Sequence, residues 1–234
     1  MKITFDHSRE EAENIRTFLF KPEQKIHFTA GQFAEWTIKH KNPDNRGQRR
    51  WFTISTSPND NLVGFTTKLD QDRKSTFKSH LSKLQPGDQI DISQPMGDFV
   101  LPKLIQTPLV FVAGGIGITP FYSILQWLAE TKEERDIKMI YGVNNEDEIV
   151  FQDTFDLSRV QPTIVVSNPS SAWGGERGLI SAELIMDLAK PSEDTLVYVS
   201  GPEPMVEKLE TDLKKAGLDK KQFVGDFFPN YKNY

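Results

Sequence analysis

Three short stretches of the sequence carry residue types whose spacing suits ligand chemistry. In the first, the apolar run Leu109-Val110-Phe111-Val112-Ala113 enters Gly114-Gly115-Ile116-Gly117-Ile118-Thr119-Pro120. A buried strand that feeds a glycine turn and then a helix lets the backbone approach a ligand closely. The free N–H groups of the helix start attract phosphate. Pro120 suits an early helical position, where its missing donor costs nothing. The spacing departs from the dinucleotide fingerprint G-x-G-x-x-G, since Pro120 takes the third place after Gly115 and Gly117. Taken alone, the same residues also make a tight strand–helix joint with no ligand. The other two stretches are strand ends, Ile140-Tyr141-Gly142-Val143-Asn144-Asn145 and Val199-Ser200-Gly201-Pro202-Glu203-Pro204-Met205. In open parallel sheets the ligand crevice lies outside the carboxyl ends of the strands, so three such ends point to one crevice.

Composition narrows the chemistry. Cysteine is absent and the four histidines (His7, His27, His40, His80) do not pair at metal-ligand spacing. That removes disulfides, thiolate zinc sites, cysteine nucleophiles and Cys-ligated iron–sulfur clusters. No metal site is expected, and redox chemistry would reside on a non-covalent organic cofactor. The start, MKITFDHSREEAENIR, lacks the apolar core of a leader peptide. Residues 104–129 hold no charge, a length that can span a bilayer, but Pro108, Gly114, Gly115, Gly117 and Pro120 break the run. A buried strand, a turn and a packed helix are expected there, with no stable membrane insertion and a cytoplasmic location.

The elements that must position these stretches fall into two groups. Residues 1–102 break into short β-type runs at 26–28, 33–38, 51–55, 63–68 and 89–92, separated by turn signals such as Asn42-Pro43-Asp44 and Pro86-Gly87-Asp88. Such spacing predicts an antiparallel barrel or sandwich. A helix is expected over 75–84, where Phe77, Leu81 and Leu84 recur at helical spacing. Residues 103–234 alternate strands (109–113, 137–141, 163–167, 196–200, 222–224) with helices (118–130, 181–189, 202–216). That alternation predicts a parallel sheet covered on both faces. The expected fold is therefore two-domain, an N-terminal antiparallel β-barrel followed by an α/β parallel-sheet domain. Charge divides along the same line, net +2 over residues 1–102 and net −7 over residues 103–234, within a chain total of −5. A surplus of two is too small for a nucleic-acid footprint, so no nucleic-acid partner is expected.

In order and over essentially its whole length, the chain resembles the ferredoxin–NADP reductase superfamily, a flavin barrel followed by a nicotinamide-nucleotide domain. Arg50-Trp51-Phe52-Thr53 is similar to the family's Arg-x-Tyr-Ser/Thr flavin motif, residues 114–120 to its Gly-x-Gly-x-x-Pro nucleotide turn, and Ser200-Gly201-Pro202-Glu203-Pro204-Met205 to its Cys-Gly-Pro-x-x-Met segment. Ala30-Gly31-Gln32-Phe33 and Pro86-Gly87-Asp88 sit where the family places its connecting phrases.

The resemblance implies FAD as cofactor and NADPH or NADH as electron donor. It implies that Arg50 forks onto the FAD pyrophosphate, that Phe52 lays its ring on the isoalloxazine, and that the Thr53 hydroxyl bonds the hydride-accepting nitrogen. Thr67 and Lys68 at a strand end, and Ser75, Thr76 and Lys78 in the second flavin segment, would join them, with Ser75 and Lys78 departing from the family's Gly and Ser. Gly114, Gly115, Gly117, Thr119, Pro120, Gly142, Ser200, Gly201, Pro202 and Met205 would hold the nucleotide, with Ser200 in the family's cysteine position beside the nicotinamide. Residues 227–231 resemble the terminal Phe-x-Gly-Tyr, which would place Tyr231 near the flavin. The family's acceptors include the acidic proteins ferredoxin and flavodoxin, which Lys39, Lys41, Arg46 and Arg49 would complement. The strand-end loops offer Arg177 as the one nearby cation for a 2′-phosphate, an argument against strict NADP specificity. Reduction of free flavin or ferric chelates, and a non-catalytic nucleotide-binding module, stay open as alternatives.

Overall fold

The computed structural model describes residues 1–69 and 75–228. Its first layer begins with β1 (Lys2–Ala12) and β2 (Ile15–Pro22), an antiparallel hairpin turned through Asn14 in the left-handed region (φ +62°). Then follow β3 (Phe33–Thr37), β4 (Arg49–Thr53), β5 (Val63–Lys68), α1 (Thr76–Leu81) and β6 (Gln89–Ile92). The strands form a six-stranded antiparallel sheet in the order β4-β3-β6-β1-β2-β5. Its two edges curl back together. The Ser55 N–H donates to the Gly64 carbonyl (2.9 Å), and Phe52 of β4 stacks on Phe65 of β5 with ring centroids 4.3 Å apart. Alternate residues point inward, so Ile3, Phe18, Phe20, Trp36, Phe52 and Phe65 fill the interior, and Phe77 and Leu81 of α1 plug it.

Two features of this layer differ from expectation. The β1–β2 hairpin is not predicted from the sequence, because charged residues at 6–16 hide the alternation. The expected strand at 26–28 does not form. β2 is already paired on both sides, by β1 and β5, so this segment finds no open edge and only Ile26 enters the core.

The second layer is a six-stranded parallel sheet of order β10-β9-β8-β7-β11-β12, made from β7 (Leu109–Gly114), β8 (Ile137–Val143), β9 (Pro162–Val166), β10 (Glu176–Arg177), β11 (Leu196–Pro202) and β12 (Phe223–Phe228). The period of two sorts its side chains. Phe111, Ala113, Tyr141 and Tyr198 face α2 (Thr119–Thr131) and α3 (Gln152–Ser158). Val110, Val112, Ile140, Val197 and Val199 face α4 (Ala182–Ala189) and α5 (Glu203–Lys215). α3 is a helix that the sequence does not announce, being seven residues long with Thr154 and Phe155 as its buried residues. Among the described residues, no helix is long and apolar enough to cross a membrane.

α2 joins the layers. Ser123 Oγ donates to the Thr56 carbonyl (2.7 Å), Gln126 Nε2 to the Ser55 carbonyl (2.9 Å), and Arg9 Nη2 to the Tyr122 hydroxyl (3.1 Å). From β11, the Tyr198 hydroxyl donates to the Val100 carbonyl (2.8 Å). Phe65 is fully buried against four aromatic rings. Phe65→Ala should therefore lower unfolding stability by about 3–5 kcal/mol, read by urea denaturation.

Candidate functional site

The glycine turn stands where the strand order reverses. From β7 the chain moves to β8 and β9 on one side, then crosses to β11 on the other, so β7 and β11 flank a switch point. β7 runs directly into a 3-10 turn at Gly115–Ile118 and then α2, with Pro120 in its first turn, as expected. The turn packs on the carboxyl end of β11 with no room for a side chain. A Cβ at Gly117 would overlap the Ser200 carbonyl and lie 2.6 Å from the Gly201 Cα. A Cβ at Gly114 would strike Met205, and one at Gly142 would lie 2.8 Å from the Ile180 side chain. These three glycines thus serve close packing of protein on protein. Gly115 is different, partly exposed and left-handed (φ +52°). Thr119 donates its hydroxyl to the Ile116 carbonyl (3.1 Å), and Pro120, Gly201 and Pro202 are buried beside the turn.

The barrel residues gather around the end of β5 and the start of α1. Arg50 lies on the inner side of β4 and is held by its own loop. Its guanidinium donates to both Asp44 carboxylate oxygens (3.1 and 3.3 Å) and to the carbonyls of Arg46, Gly47 and Arg49, while standing over the Phe77 ring. Burial lowers its pKa, against the pull of Asp44. The Asp44 carboxyl also accepts the N–H groups of Thr76 and Arg46 (both 2.9 Å). Against its partial burial, these bonds and Arg50 hold it below the usual carboxylate range. Thr76 Oγ1 accepts the Asp44 N–H, and Ser75 caps α1 by accepting the Lys78 N–H, so neither hydroxyl oxygen stands apart from its local fold. Lys78 Nζ donates to the Lys68 carbonyl (2.6 Å), and Lys68 Nζ pairs with Glu148 (2.7 Å).

Phe52 turns into the barrel core, 8% exposed and stacked parallel on Phe65, so its face is not presented to a planar ligand. Strand alternation decides this, because Arg50 and Phe52 share the inner side while Trp51, 60% exposed, lies outside. Thr53 is buried at the end of β4. Among the described residues, four buried side-chain polar atoms lack a hydrogen-bond partner: His40 Nε2, Thr56 Oγ1, Thr67 Oγ1 and Ser200 Oγ. Thr67 and Ser200 are residues that the sequence singles out.

The basic cluster is divided. Lys39 pairs with Asp91 (2.7 Å) and Arg49 with Glu35 (3.3 Å), while Lys41 and Arg46 are exposed. Arg177 turns its guanidinium onto the Trp173 carbonyl. Tyr231 lies outside the described residues. Sequence reading missed Asp226, which sits opposite Ser200 in the β11–β12 register and so on the same face of the sheet. Burial, with the Asp98 carboxylate nearby, pushes its carboxyl up to about 6. The available signal was a lone acid in the apolar run Phe223-Val224-Gly225-Asp226-Phe227-Phe228.

Because Asp226 binds its proton more tightly when folded, its stabilising contribution is present below pH 4 and is lost as the pH rises to about 6. Asp226→Asn should therefore exceed the parent in stability at pH 7, by up to about 3 kcal/mol, and lose that advantage near pH 4; thermal melts across this range read it. Gly117→Ala should cost about 1–3 kcal/mol in the same assay, since backbone on both sides must move.

Residues 111–211 match the family model described as the oxidoreductase NAD-binding domain. Among curated proteins, the flavohemoprotein of Xylella fastidiosa (strain Temecula1) is 26% identical over 226 residues, covering 93% of this chain and 56% of the relative. The toluate 1,2-dioxygenase electron transfer component of Pseudomonas putida is 27% identical over 210 residues, covering 87% and 60%. The chain thus spans little more than half the length of these relatives. A solved ferredoxin NADP+ reductase from Neisseria gonorrhoeae, with bound FAD and NADP, superposes with a TM-score of 0.80 at 19% identity, covering 97% of this chain and 98% of that one. Residues 111–211 thus match an oxidoreductase NAD-binding domain, and the chain as a whole has the two-domain fold of that solved ferredoxin NADP+ reductase.

Proposed function

We propose that the chain is an NAD(P)H-dependent flavoprotein reductase, with residues 1–102 as its FAD-binding half and 103–234 as its nucleotide-binding half. The observation that carries this reading is the meeting of the 114–120 turn and the 200–205 turn at the strand-order reversal, backbone against backbone. The residues present fit a flavin. Thr67 Oγ1 and Ser200 Oγ are buried hydroxyls without a partner, a state that costs about 1–3 kcal/mol and that a cofactor heteroatom would relieve. FAD, when bound, supplies the chemistry that links a hydride donor to one-electron acceptors.

The chain's own residues bind and orient. Thr67, Lys68 and Arg50, with Ser75, Thr76 and Lys78 at the α1 start, form the polar rim for a pyrophosphate, the fork of Arg50 suiting two phosphate oxygens. Thr53 and Ser200 offer hydroxyls from the two halves. Gly115, with its left-handed backbone and partial exposure, is the position in the turn where a nucleotide can approach the main chain. Gly114, Gly117, Gly142, Gly201, Pro202 and Met205 shape that crevice by packing. Trp51 is the exposed ring beside the site, and Phe52 supports it from within.

The acceptor is an external redox partner of the kind implied by the names of relatives such as the Pseudomonas putida electron transfer component. A ferredoxin- or flavodoxin-type protein suits the basic face of Lys39, Lys41, Arg46 and Arg49 by charge.

The purified protein should show a flavin absorbance band that NADH or NADPH bleaches under anaerobic conditions. A colourless protein that takes up neither FAD nor FMN would overturn the reading. Thr67→Val removes an unpartnered hydroxyl at nearly constant shape. It should leave the apo protein as stable or about 1 kcal/mol more so, while weakening FAD binding several-fold in a fluorescence titration.

A further inference from the structure

The cation at the end of β5 has a partner in the other half of the molecule. Lys68 Nζ lies 2.7 Å from Glu148 Oε1, and neither side chain is much exposed (29% and 17%). Both ends are fixed. Lys78 Nζ donates to the Lys68 carbonyl (2.6 Å), and the Tyr141 hydroxyl donates to the Glu148 carbonyl (3.3 Å). Glu148 closes the acidic turn Glu146-Asp147-Glu148 that follows β8, so this ion pair bridges the barrel to the nucleotide half. Arg50 shows the same arrangement inside the barrel, its guanidinium forked by the Asp44 carboxylate. Two of the three cations on the proposed pyrophosphate rim, Arg50 and Lys68, are thus already held by a carboxylate of the chain.

We infer that Glu148 competes with the cofactor's pyrophosphate for Lys68, so that binding the diphosphate weakens this bridge between the halves. The inference rests on the flavin-binding reading above. The ammonium has three N–H donors, but a carboxylate and a phosphate drawn to the same ammonium repel each other, so each weakens the other's hold on it. Glu148 then acts as a positioning residue. It weakens cofactor binding by its charge.

Fluorescence titration of the apo protein with FAD, and separately with riboflavin, tests this. Glu148→Gln should bind FAD about five- to tenfold tighter than the parent and riboflavin, which carries no phosphate, equally well. Lys68→Met should weaken FAD binding about tenfold and, in the double variant, erase the gain that Glu148→Gln gives alone. Asp147→Asn, a neighbouring charge removal outside the ion pair, should give less than about a twofold change. The inference is overturned if Glu148→Gln leaves FAD affinity unchanged or lower, if its gain extends equally to riboflavin, or if the gain survives in the double variant. A parent protein that binds neither flavin would instead sink the reading on which the inference rests.

Discussion

The structure depends on a contact in which side chains are excluded. The turn after β7 lies so close to the end of β11 that a single added carbon at Gly117 meets the Ser200 carbonyl and the Gly201 Cα. Everything downstream follows from that approach. It fixes where α2 begins, keeps Met205 folded over Gly114, and buries Ser200 with its hydroxyl unpaired. Glycine here serves density first, while at Gly115 the backbone turns left-handed at partial exposure.

α2 then carries the geometry across to the barrel. Its first turn belongs to the nucleotide crevice, and four to seven residues later Ser123 and Gln126 bond the stretch immediately after Thr53. A helix is stiff on this scale, so the candidate hydroxyls of Thr53 and Ser200 are set relative to one another by a short rigid path rather than by the long connection between the sheets.

Much of this was legible in the sequence, for a physical reason in each case. The parallel sheet announced itself because strands buried on both faces must be continuously apolar, as in Leu109–Gly114. The turn was legible because glycine and proline have few other uses in that order. The β1–β2 hairpin was hidden because its outer face is charged and its strands are long. The direction of the Phe52 ring was not legible because a motif names residue types, while strand parity and the neighbouring Phe65 set the ring, and neither is local. Arg50 and Lys68 were recognised as cations, but a sequence does not reveal that Asp44 and Glu148 fold back onto them. Asp226 went unseen since its unusual proton affinity comes from burial and from Asp98, far away in the chain.

Three of the bonds between the halves share one asymmetry. Ser123, Gln126 and Tyr198 each donate from the nucleotide half, and each acceptor on the other side is a main-chain carbonyl, of Thr56, Ser55 and Val100. A carbonyl survives almost any substitution of the residue that bears it. At these three points the barrel side is therefore free to drift in sequence while the bond persists, whereas Arg9, Ser57, Asn59 and Lys68 cross the seam through their side chains. Grafting the nucleotide half onto a different barrel would need a matching path of backbone as well as those few side chains.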